Sequence, residues 1–323
     1  MNQVKVSVLL ASLLFCAAGS LFIGGAPLNA MAVIQTLLNG GELDFIVNQY
    51  RLPRFILAIG VGAGLGISGA LIQGVLRNPL ASPDLMGISA GTGFAATLLL
   101  IYVPDASLPL LASVAVSGGI GAALIISLLA YKCNPTPARL ALIGIAISAF
   151  ISSGIDFLLI VNPIEINTAM VWLTGSLWGR NWSQVPLIWI SLICIVPWAM
   201  YLAWRLDLMG LGEETAISVG AQPQRTRLLA LVLSTLLASI SVAVCGTISF
   251  VGLLSPHLAR LLFGHNHKLL LPMSGVIGAL LVVVADTLAR GIDPPLELPA
   301  GVLTSLIGAP YFIFLLQRYQ GWK

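Results

Sequence analysis

Apolar residues run along this chain in blocks of about 20, the length a helix needs to cross a bilayer core, separated by short polar breaks. The pattern predicts ten such segments: Val4–Ile23, Phe55–Val75, Leu85–Val103, Leu108–Tyr131, Leu140–Val161, Val185–Leu206, Leu228–Gly246, Ile248–Phe263, Leu269–Ala289 and Gly301–Leu316. The eighth is short and holds Pro256. It reads as a half-helix kept inside protein, because such pieces are tolerated only away from lipid. The first run is long enough to span, and Phe15 before Cys16 does not suit a lipoprotein cleavage site. It reads as a membrane helix rather than a cleaved leader.

One break is unusually polar. In "RNPLASPD", residues 77–84, an Arg, an Asn, two Pro and an Asp interrupt the apolar pattern. Pro79 and Pro83 stop helix continuation, so the stretch is a turn at a membrane face.

Composition supports the same picture. The chain has 323 residues, 58% hydrophobic and 8% charged, where a soluble domain carries about 25% charged residues. Lipid must therefore cover most of the surface of one polytopic bundle spanning 1–323 as a single domain. A net charge of +3 without any basic block leaves no footprint for nucleic acid. The four cysteines, Cys16, Cys133, Cys194 and Cys245, are far apart and read as small core residues.

Charge also orients the bundle. An even number of spans puts both termini on one side. Lys5, Arg77, Lys132, Arg139, Arg205, Arg225, Arg227, Arg260, Lys268, Arg318 and Lys323 then share that side, against Arg51, Arg54, Arg180 and Arg290 on the other. The positive-inside rule makes the richer side cytoplasmic, so "RLPR" at Arg51–Arg54 is an external turn. Glycines in "GVGAGLGISG" sit at GxxxG spacing, Gly60/Gly64 and Gly62/Gly66. They mark close helix packing inside the chain.

Chemistry-bearing residues are few. Asp156 and Asp286 lie well inside segments, and intramembrane acids mark a pathway or a structural pair. Asp286 precedes Arg290 by four residues, the favourable order on one helix face. Asp156 is a polar spot in the pathway or a helix–helix hydrogen bond. His265 and His267 form an HxH pair that reads as solvated loop residues rather than a metal site. No HExxH, Ser/His/Asp set or P-loop occurs, which argues against an enzyme and points to energy supplied by a partner. The surface for that partner is the loop 207–227, where Glu213 and Glu214 follow Gly212 and Gly220 closes "EETAISV". Acids at a start and glycine past an end outline a short helix.

"RLPR", "SGALIQGVLRNPLASPDLMGISAG", "WLTGSLWGRNWS", "LGEETAISVGA", "ISFVGLLSPHLARLLFG" and "PPLELPAGVLTSLIGAPYFIFLL" together resemble the FecCD/BtuC-type permeases, in order from about residue 50 to 318. These are membrane subunits of bacterial ABC importers for ferric siderophores, haem and vitamin B12. "WLTGSLWGRNWS" and "ADTLARGIDPPLELPAGVLT" look most like the ferric-citrate branch.

The resemblance implies an all-α, BtuC-like (type II ABC importer) bundle of about ten membrane helices in the bacterial inner membrane, both termini cytoplasmic. It implies a second FecCD-type permease chain, with a heterodimer favoured, two ATP-binding subunits that use ATP and Mg, and a periplasmic substrate-binding protein. This chain would hold no cofactor and perform no catalysis. Arg51, Arg54 and Arg290 match arginines that face acids of the binding protein. Asn78, Pro79 and Leu80 match a cytoplasmic gate. Leu211, Gly212, Glu213, Glu214, Ala216 and Gly220 match the helix that couples to the ATPase. The expected cargo is iron(III) dicitrate or another siderophore, with haem or vitamin B12 as alternatives. A secondary carrier using Asp156 and Asp286 as coupling acids is the rival from another class.

Overall fold

The structure is a computed structural model; it describes residues 2–24, 28–132, 137–163, 166–292 and 296–318. The described residues form an all-helical bundle. In chain order come α1 (Asn2–Phe22), α2 (Ala30–Asn39), a π-helix (Phe45–Arg51), α3 (Leu52–Leu76) and α4 (Ile88–Tyr102). Then follow α5 (Leu108–Lys132), α6 (Pro137–Val161), α7 (Ile166–Leu173), α8 (Val185–Gly210) and α9 (Glu213–Ser218). The last are α10 (Pro223–Cys245), α11 (Val251–Phe263), α12 (His267–Gly291) and α13 (Ala300–Arg318).

Each of the ten expected segments coincides with a helix. Among the described residues, seven stretches are long and apolar enough to cross a membrane: α1, the π-helix with α3, α5, α6, α8, α10 and α12. Ile88–Tyr102, Val251–Phe263 and Ala300–Leu315 are apolar but shorter. At about 1.5 Å per residue, the 13 residues of α11 reach only part of the way across. As expected of a half-helix, most of α11 is buried inside the protein. Three short elements had no apolar block to announce them: α2, the π-helix and α7. "RLPR" is also not a turn. It is the helical join between the π-helix and α3, with Pro53 in the first turn of α3, where its missing N–H costs nothing.

α3 is the axis. Its side chains are buried nearly all round, and α8, α10, α11 and α12 pack on it. Its glycines serve two neighbours. Gly62 and Gly66 face α12, where a Cβ on Gly62 would lie 2.6 Å from the Ala279 Cα. Gly60 and Gly64 face α8 and α10, against Ile188 and Ser241. The GxxxG pattern is thus spent on packing within the chain. Ser68 and Ser234 lock α3 to α10: the Ser68 hydroxyl donates to the Ser234 carbonyl at 2.8 Å, and the Ser234 hydroxyl donates to the Ser68 carbonyl at 3.0 Å. In lipid such interhelical bonds contribute about 0.6 kcal/mol on average. Cys16, Cys194 and Cys245 are free thiols, and Cys133 lies outside the described residues.

Candidate functional site

Four regions gather the polar residues of this apolar molecule. The first is an ion-pair cluster at the start of α3. Arg54 is 1% exposed and forks onto Asp286 of α12, with Nη2 to Oδ1 at 2.8 Å and Nε to Oδ2 at 3.1 Å. Its Nη1 reaches Glu297 Oε2 at 2.5 Å and the Tyr50 hydroxyl at 3.0 Å, and that hydroxyl donates to Glu297 Oε1 at 3.0 Å. Arg290 stands 3.3 Å from Asp286 on the same helix. Arg290 and Arg51 then close the end of α1, donating to the carbonyls of Ser20 at 3.1 Å and Leu21 at 2.6 Å. Cations at a helix C-terminus satisfy its orphan carbonyls and complement its dipole.

Arg51, Arg54 and Arg290 are all buried within this chain, at 3%, 1% and 3% exposure. The cause is electrostatic: two carboxylates enter the same space and draw the guanidinium groups inward. Arg51 and Arg290 still border a cavity of about 280 Å³, with Tyr50, Glu297 and Gly24 around it. Asp286 is thus held between two arginines.

The second region is a polar cavity of about 330 Å³ where several helices break. α7 ends at Leu173, α10 ends at Cys245, and the chain runs irregularly to α11. The backbones cross so closely that Gly175, Gly246 and Gly301 have no room for a Cβ, and the Thr247 hydroxyl donates to the Leu173 carbonyl. Irregular backbone at membrane depth survives only inside protein or beside a water-filled cavity. Asp156 lines this cavity. The structure adds Asp84, Ser89, Ser148, Ser152, Thr247 and Ser249, which the sequence reading missed. Asp84 Oδ1 accepts the Ser89 hydroxyl at 2.5 Å. Enclosure by protein pushes the Asp84 carboxyl above the ordinary carboxylate range, against the downward pull of Ser89 and the Phe250 backbone N–H.

The third region is the turn after α3. Arg77 caps the helix in the left-handed conformation, φ 49°. Asn78 Oδ1 accepts the Leu80 N–H at 2.9 Å, an Asx turn that carries the chain through Pro79. Gln73 Nε2 pins the turn by donating to the Ala81 carbonyl at 3.1 Å and to the Leu253 carbonyl of α11 at 3.2 Å. Asn78, Pro79 and Leu80 therefore form a fastened turn with Asn78 exposed.

The fourth is the loop after α8. Gly212 (φ 112°) and Gly220 (φ 84°) bracket α9, both in conformations that side chains resist. Ala216 is buried, while Leu211, Ile217 and Val219 are exposed with Glu213 and Glu214 beside them. Arg227 Nη2 ties Glu213 Oε2 at 2.9 Å. The short helix read from sequence is present, and its outer face is apolar with an acidic edge.

His267 departs from expectation. It opens α12 rather than sitting in a solvated loop, with Nδ1 2.6 Å from Asp207 Oδ1 at the end of α8.

An apolar helical bundle with interrupted helices around a cavity lined by acids and hydroxyls is a multi-pass membrane protein built as a transport permease. The FecCD transport family model matches residues 10–318, and the chain belongs to that family. It is 44% identical to the Fe(3+)-citrate import system permease protein YfmE of Bacillus subtilis, over 97% of this chain and 94% of that protein. It is 43% identical to the Fe(3+) dicitrate transport system permease protein FecD of Escherichia coli, over 94% of this chain and 95% of that one. A solved structure described as an inward-facing conformation of a metal-chelate type ABC transporter superposes with a TM-score of 0.86 at 32% identity, covering 98% of this chain and 99% of that chain.

Proposed function

We propose that this chain is one of two membrane subunits of an ABC importer that moves a ferric chelate, iron(III) citrate in the first instance, from periplasm to cytoplasm. The near-full-length likeness to two permeases named for ferric citrate carries this reading. The chain sits in the bacterial inner membrane with both termini cytoplasmic, pairs with a related permease chain, and takes its energy from two ATP-binding subunits. A substrate-binding protein delivers the cargo. The chain itself makes and breaks no covalent bond.

The four regions divide the work by position. An acidic side chain of the binding protein enters the outer cavity bordered by Arg51 and Arg290, while Arg54 holds that wall in place. The cavity at Asp156 is a polar stretch of the route inward. Asn78–Leu80 closes the inner mouth, and Leu211–Gly220 transmits ATPase closure, shifting the population between outward- and inward-open bundles.

The substrate is tested in a host lacking its own ferric-citrate permeases, supplied with this chain and its partners. Iron presented as the citrate complex is taken up, and iron presented as haem is not. The reverse result overturns the substrate and leaves the family intact.

Coupling has its own test. Gly212→Leu places a side chain at φ 112° beside α9, and strain at such a position costs roughly 1–3 kcal/mol. The expected outcome is a folded bundle whose iron uptake falls at least tenfold while the ATPase still turns over. Normal uptake by this variant would remove α9 from the energy pathway.

A further inference from the structure

We propose that the inner ends of α3, α8, α11 and α12 form a binding site for the phosphate of an anionic phospholipid. A cavity of about 630 Å³ opens there, with Arg77, Asn78, Asp207, Arg260, His265 and His267 in its wall. Its hydrogen-bonding balance is one-sided. The Asp207 carboxylate already accepts the His267 backbone N–H at 3.0 Å and faces the ring at 2.6 Å. Gln73 Oε1 accepts Arg260 Nη1 at 3.0 Å, and Asn78 Oδ1 accepts the Leu80 N–H. Asp207 Oδ1, Gln73 Oε1 and Asn78 Oδ1 are taken up, while two Arg77 donors are left over. Nε and Nη2 of Arg77 are shut away from solvent and make no hydrogen bond.

Arg77 is half-buried, and leaving two of its guanidinium nitrogens unpaired is costly; an oxyanion is the partner that suits them. Two arginines against one carboxylate leave the wall cationic. The cavity exceeds what a bare phosphate fills, and Leu206 and Pro79 give it an apolar side. It lies at the ends of spanning helices, where headgroup phosphates run, and basic pockets between membrane helices on the cytoplasmic face take such headgroups. A headgroup seated here would brace both the turn at Asn78 and the end of α8 that leads into α9. The inference rests on the cytoplasmic placement of these ends proposed above.

The test uses the complete permease assembly in nanodiscs. Phosphatidylglycerol should bind tightly and phosphatidylcholine should not. Arg77→Gln should weaken phosphatidylglycerol binding about fivefold, the effect of one basic residue near an anionic surface. Arg77→Lys, which keeps the charge in the same backbone setting, should weaken it less. Thermal unfolding of each variant without the lipid shows whether it is folded. Three results would overturn the site: equal binding of both lipids, no effect of Arg77→Gln, or inorganic phosphate alone binding as well as the lipid. Occupancy seen only when the ATP-binding subunits are absent would assign the cavity to a partner's acid and also overturn it. Iron uptake is read in parallel, so intact uptake without lipid selectivity sinks this inference alone.

Discussion

Arg54→Met is expected to strip folded permease from the membrane, at a cost of roughly 3–5 kcal/mol, the penalty for breaking a buried ion pair on one side. Arg54 is the most enclosed cation described here, and it satisfies Asp286 and Glu297 at once. Without it both carboxylates lose their closest cation, with Arg290, Arg51 and the Tyr50 hydroxyl left around them. The double variant Arg54→Met, Asp286→Leu should recover part of the loss, because removing both partners of a buried pair costs far less than removing one. Glu297→Gln should be milder, since that side chain is 16% exposed. Thermal midpoints of the detergent-solubilised protein decide the matter, and an unchanged midpoint for Arg54→Met would contradict the buried cluster.

Two alanines should act in opposite directions. Gly62→Ala puts a Cβ 2.6 Å from the Ala279 Cα, a backbone atom that cannot rotate away. α3 and α12 must separate, and overpacking of this kind costs typically 1–3 kcal/mol. Gly121→Ala meets nothing within 4 Å, and replacing glycine in a helix interior gains up to about 1 kcal/mol. If Gly62→Ala leaves the midpoint unchanged or raises it, α3 and α12 do not touch as described.

The spans were legible because a 20-residue apolar run has few other readings. α2 and α7 were not, because 10 and 8 residues between mixed stretches carry no such signal. Charge patterning located Arg51, Arg54 and Arg290 at one end of the bundle. It could not show that Glu297, more than 240 positions from Arg54, folds back to bury them. Asp156 was visible as a lone acid, but Ser89, Ser148, Ser152 and Ser249 look like ordinary small residues of membrane helices. Only the broken helices bring them to one cavity. α9 was readable because its glycines and acids lie within a few residues of one another.

Ferric-chelate import driven by partner ATPases is measured in proteoliposomes. The assembly is reconstituted with its binding protein outside and ATP inside, and labelled iron citrate is added. Accumulation that requires ATP hydrolysis and survives collapse of the proton gradient is the expected result. Accumulation driven by a proton gradient in the absence of ATP would contradict it.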